Sequence, residues 1–115
     1  LSVLVPAVEV ERRVLVPDLG ETIAISTRSP RRSDMIVEIY DSVGRKIITL
    51  YDGIGLGEMR FDWDGRDQHG QTVDPGVYLC HARAVPLDGG NIETLAAPIV
   101  VGLRLEGGGI YEIEE

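Results

Sequence analysis

The chain has 115 residues with 43% hydrophobic and 26% charged side chains, which is the balance of one globular domain and excludes a disordered segment or a second catalytic domain. A formal net charge of −8 with no compensating basic run disfavours a nucleic-acid backbone or an anionic membrane face as the ligand. No apolar run approaches the roughly 18 residues of a membrane-spanning helix, and a single Cys allows no internal disulfide.

The 24 Val and Ile residues outnumber the 17 Leu and Ala, and 14 Gly with 6 Pro interrupt them at short intervals, so strand is the expected majority state. Leu1 to Val5 is a short apolar strand closed by Pro6, and the opening Leu is expected either to follow a removed leader or to begin an excerpt. Ala7 to Val16 alternates, with Val8, Val10, Val14 and Val16 on one face, Glu9, Glu11 and Arg13 on the other, and Arg12 as the one break. Glu21 to Thr27 follows with Ile23 and Ile25 inward. Ser29-Pro30-Arg31-Arg32-Ser33 reads as a solvated loop, then Met35 to Asp41 as a strand with Met35, Val37 and Ile39 on one face.

Val43-Gly44-Arg45 makes the tight return of a hairpin into Lys46 to Asp52. Gly53, Gly55 and Gly57 are expected in the next loop, followed by a strand that places Met59, Phe61 and Trp63 on one face. Asp64 to Val73 is polar and turn-rich. Asp74-Pro75-Gly76 launches Val77 to Val85, and Thr94 to Glu106 is the last long strand, in which Pro98 predicts an edge or bulge position. The layout is a first segment 1–6, a domain 7–106 and a Gly-rich acidic tail 107–115. Expected core residues are Val37, Ile39, Phe61, Trp63 and Val77.

Three signatures stand at characteristic separation: Val37-Glu38-Ile39-Tyr40-Asp41 with Val43-Gly44-Arg45, then Phe61-Asp62-Trp63-Asp64-Gly65-Arg66-Asp67 with Gly70, then Pro75-Gly76-Val77-Tyr78. Together they resemble the FlgD-like immunoglobulin-like domain of flagellar hook-capping and secreted bacterial proteins, over about half the chain. The resemblance implies an all-β, immunoglobulin-like (fibronectin III-like) antiparallel sandwich of about seven strands. In such a domain these signatures specify turns and core rather than a reaction site, and fold alone confers no function.

Asp62, Asp64 and Asp67 form a D-x-D-G-x-D cluster, the weak candidate for a Ca²⁺ site because that ion takes several oxygen ligands. The spacing departs from an EF-hand: Gly stands fourth rather than sixth, and Val73 occupies the position of the bidentate Glu. Turn capping is the preferred reading. Cys80 and His81 are consecutive on a strand, point to opposite faces, and cannot act as a nucleophile and its base. Cys80 is expected inside with Tyr78 and Ala82, and His69 in an exposed turn. No serine has a nucleophile-elbow context, and Gly53, Gly55 and Gly57 lack the spacing and helix of a phosphate loop.

The expected function is therefore non-catalytic, with no cofactor: an extracellular structural or assembly module of a bacterial surface appendage, with protein partners or copies of itself, and neither nucleic-acid binding nor membrane insertion. Leu1, Val3 and Val5 are the candidate interaction residues. Their segment either pairs within its own sheet or lends a strand to a neighbour. The alternatives are a hook-capping type assembly scaffold and a carbohydrate- or calcium-binding module of a secreted enzyme.

Overall fold

The computed structural model describes residues 7–11, 14–104 and 110–111. They form β1 (Ala7–Val10), β2 (Val14–Leu15), a 3-10 turn (Pro17–Leu19), β3 (Ile23–Asp41), β4 (Lys46–Trp63), β5 (Gly76–Pro86), β6 (Glu93–Val101), β7 (Leu103–Arg104) and β8 (Ile110–Tyr111). Strands β1 to β6 share one sheet, ordered β1-β3-β5-β6-β2 with β4 along the other side of β3; β7 and β8 pair separately.

That sheet curls into two facing layers because β3 and β4 are long enough to serve both. The first half of β3 pairs with β1 and with the end of β4 (Ile23 opposite Trp63), while its second half pairs with β5 and the start of β4 (Tyr40 opposite Lys46). Counting the two halves of β3 and of β4 separately, with β1 and β2 as one interrupted strand and with β5 and β6, gives the seven strands of the expected sandwich. One pair departs from an all-antiparallel arrangement: β2 runs parallel to β6, Val14 opposite Val100.

Two segments expected as loops are continuous strand. Between Ser29 and Ser33, β3 advances four residues while β4 advances two, from Gly57 to Gly55. The surplus of two preserves the two-residue period, so odd-numbered residues stay inward on both sides of the bend. Pro30 is accommodated because it falls within this bulge, where no ladder partner is required. Ser29 Oγ and Ser33 Oγ, both buried, donate to the Arg31 carbonyl at 2.7 and 2.9 Å and hold the bulge closed. Gly53, Gly55 and Gly57 likewise lie within β4. A Cβ on Gly55 would stand 2.1 Å from Met35 Sδ and 2.9 Å from Met59 Sδ, so the absent side chain makes room for two methionines.

The expected strand Ala7 to Val16 is described as two strands with different partners, β1 joining β3 and β2 joining β6; the inward residue of β2 is Leu15, fully buried. The core combines Ile23, Ile25 and Trp63 of one layer with Val37, Ile39, Cys80 and Ile99 of the other. Phe61 is half-buried and packs against this cluster rather than within it. Val77 lies outside it. Cys80 stands opposite inward-facing Ile39 and Ala82 opposite Val37, so the period of two turns Tyr78, Cys80 and Ala82 inward and Val77 to the other face, where it is half-buried.

Candidate functional site

The polar connection after Trp63 is built by its own aspartates. Asp64 Oδ1 accepts from Arg66 N–H at 3.0 Å, and Asp67 Oδ1 accepts from His69 N–H at 2.9 Å and Gln71 N–H at 3.0 Å. The backbone bond from Gln71 holds the Asp67 carboxyl below its usual range. Asp62 lies apart on the exposed face of β4, its Oδ1 3.7 Å from Arg60 Nε. The three carboxylates thus serve separate local contacts, and among the described residues no group of three His, Cys, Asp or Glu side chains converges on a metal position.

Asp41 has the same role at the β3-β4 turn. Its Oδ1 accepts from Val43 and Arg45 N–H at 3.1 and 2.8 Å, its Oδ2 from Arg45 Nε at 3.0 Å, and Gly44 takes the positive φ of 87° that closes the turn. The Arg45 backbone bond is the main reason that the Asp41 carboxyl is held low.

Cys80 is fully buried, and burial pushes its thiol up to about 12. His81 stands on the outer face against Tyr40, ring centroids 5.9 Å apart, so the adjacent pair is divided by the sheet. Tyr40 Oη donates to Glu38 Oε1 at 2.9 Å, which together with burial raises its pKa. No described arrangement joins a nucleophile to a base.

Two features are open to partners. The first is β4, which pairs only with β3 among the described residues and presents Ile54 and Leu56 at 43% and 58% exposure, beside Gly53, Gly55 and Gly57. The second lies where the layers part beside the bulge. β2 pairs with β6 only at Val100 and Val101, and β1 lies against β6 without joining it in a ladder. Pro98, whose missing N–H suits an edge, stands on this strand. Beside it opens a cavity of about 220 Å³ lined by Ala7, Thr27, Met35 and Leu95 and by the charged Arg31 and Glu93. The sequence contained no sign of this cavity, because its walls come from four strands that are distant in sequence. The other candidate residues, Leu1, Val3 and Val5, lie outside the described residues.

Comparison of whole folds points in one direction. FlgD from P. aeruginosa is similar over 84% of this chain and 75% of that one, at 27% identity and a TM-score of 0.56. Dimeric latent PorU from Porphyromonas gingivalis is similar over 88% of this chain at 19% identity and a TM-score of 0.63, the match spanning only 10% of PorU. No family profile and no curated protein sequence matches the chain. With the three signatures at the β3-β4 turn, the Trp63 corner and the start of β5, the sandwich is FlgD-like and immunoglobulin-like in fold.

Proposed function

We propose that the chain is a non-catalytic assembly module that acts outside the cytoplasm, as a subunit or accessory domain of a bacterial surface structure, and that it binds protein through strand edges and its terminal segments. The observation that carries this reading is the outer edge of β4, which has no second strand neighbour among the described residues and bears exposed Ile54 and Leu56 on either side of Gly55. An edge of this kind is a template for a further strand: main-chain hydrogen bonds supply affinity, and alternate side chains supply register. Dispersed aspartates committed to turns and a buried thiol fit a scaffold better than a reaction centre.

Similarity to FlgD supports an assembly role and favours one second reading, a hook-capping type scaffold that guides other subunits. Deletion of Leu1 to Pro6 discriminates within this account. The deleted chain is expected to keep its strand spectrum and unfolding midpoint while losing association with itself or with a surface partner. Association at undiminished strength would remove the terminal segment from the reading.

A further inference from the structure

Resting on that reading, we infer that the outer edge of β4 pairs antiparallel with β4 of a second copy of this chain, over residues 52–60 and with Leu56 opposite Leu56. The edge is open where the pairing needs it. β4 has β3 on one side and no strand on the other among the described residues, and between Ile47 and Trp63 it carries neither Pro nor Lys, the residues that commonly blunt such an edge. Its start is covered, since Gln68 N–H donates to the Ile47 carbonyl at 3.2 Å, and residues 52–60 lie beyond that contact. Asp52, Ile54, Leu56, Glu58 and Arg60 are all exposed whereas Gly55 among them is buried, so the even-numbered residues share the solvent face.

The charges select both the partner and the register. Two copies keep solvent face beside solvent face only when even-numbered residues stand opposite even-numbered ones. With Leu56 opposite Leu56, Asp52 of each copy faces Arg60 of the other, so one opposite-charge pair is made twice by symmetry. Ile54 then lies diagonal to Leu56 of the second copy, and these exposed apolar side chains gather between the two ion pairs. Moving the register one step either way sets Asp52 against Glu58 or against Asp62, and like charges directly opposite are destabilising. The Asp52 carboxylate has no partner of its own among the described residues, and Arg60 holds only its 3.7 Å contact to Asp62. On the inner face the same register sets Gly55 opposite Gly57 and Gly53 opposite Met59, so no bulky pair collides. The bend of β4 is no obstacle. It lies across from the Ser29–Ser33 bulge, at Gly55 to Gly57, and a two-fold axis normal to the sheet at Leu56 carries it onto itself. The Ile54 carbonyl accepts from Tyr51 Oη and keeps a second lone pair for an incoming N–H.

Sedimentation equilibrium of the full chain over a concentration series, joined to disulfide trapping, tests the pairing. The parent chain is expected to dimerise. Arg60→Asp is expected to weaken the dimer roughly tenfold, because both ion pairs become like-charge pairs, and Asp52→Arg added to the same chain is expected to restore it. Both side chains are exposed, and an unchanged strand spectrum verifies that the variants keep the fold. Mild oxidation is expected to trap a dimer of the Leu56→Cys chain but not of the Asp62→Cys chain, whose two thiols lie at opposite ends of the paired run; buried Cys80 takes no part. A dimer indifferent to Arg60→Asp, or one trapped through Asp62→Cys instead, would overturn the β4 pairing while leaving the assembly reading intact. A constant monomer mass would overturn pairing with a second copy and leave a different protein as the partner, which the Leu1–Pro6 deletion then tests.

Discussion

Trp63 of one layer and Tyr78 of the other meet edge to face with ring centroids 5.7 Å apart, and each is tied by its polar atom to the chain beside it. Trp63 Nε1 donates to the Arg66 carbonyl at 2.9 Å, and Tyr78 Oη donates to the Asp74 carbonyl at 2.6 Å. The tyrosine bonds to backbone four residues upstream at the start of its strand, the corner geometry of Greek-key sandwiches. The pair therefore clamps the connection between β4 and β5 while filling the core. Trp63→Ala is expected to cost about 3–5 kcal/mol through cavity formation, and Tyr78→Phe about 1 kcal/mol through the lost hydrogen bond. Urea unfolding of the two variants measures both values.

Gly55 and Gly44 are required for different reasons, and substitution separates them. Gly55→Ala drives a methyl into Met35 Sδ and Met59 Sδ, an overpacking expected to cost about 1–3 kcal/mol. Met35→Ala in the same chain is expected to recover part of that loss. Gly44→Ala meets nothing in space but must hold a φ of 87°, at about 1 kcal/mol, and no neighbouring substitution relieves it. Unfolding midpoints of the single and double variants read the contrast.

The acid limb of stability is expected to depend on Asp41 and Asp67. Both carboxyls are held below their ordinary value of 3.8, chiefly by backbone N–H donors. A depressed native pKa stabilises the fold above the unfolded value and loses that contribution as pH falls through the folded value. Asp67→Asn keeps an acceptor for His69 and Gln71 without the charge, so its stability is expected to fall less steeply below about pH 4 than that of the parent chain. The alkaline limb has the opposite sign: burial raises the Tyr78 pKa above 10.0, so its contribution is complete below that value and is lost as pH rises through the native one. Midpoints measured across pH, with tyrosinate absorbance alongside, check both limbs.

Cys80 is expected to report global unfolding. Buried and with its thiol pushed up to about 12, it offers almost no thiolate at neutral pH. A disulfide reagent is therefore expected to react at the rate at which the sandwich opens, slowed in step with stability by ligands or salts. Immediate reaction in the native protein would contradict this burial.

Millimolar Ca²⁺ is expected to leave the unfolding midpoint unchanged, because Asp64 and Asp67 are occupied by their own turns and Asp62 lies apart. A ligand that binds the folded state raises the midpoint in proportion to its occupancy, so thermal scans with and without the ion decide the point.

The strands and most of the core were legible because alternation survives in one dimension: Ile23, Ile25, Val37, Ile39 and Trp63 declare their face by parity, and all are buried. Where parity had two solutions, it misled. Val77 and Tyr78 are both strand formers, and only the opposite strand, with Ile39 facing Cys80, decides which turns inward. The bulge at Pro30 and the glycines of β4 carry loop chemistry in their composition. Their strand character comes from partners distant in sequence: the Arg31 carbonyl between two serine hydroxyls, and two methionines that need the space above Gly55. The cavity was illegible for the same reason, since Thr27, Met35, Ala84 and Leu95 meet only after the sheet curls.

The central claim, that the chain assembles through its edges and terminal segments, is tested most directly by native mass from light scattering over a concentration series. Mass that rises with concentration, and ceases to rise in the Val3→Asp chain, is the predicted result. A constant monomer mass at every concentration would contradict self-assembly.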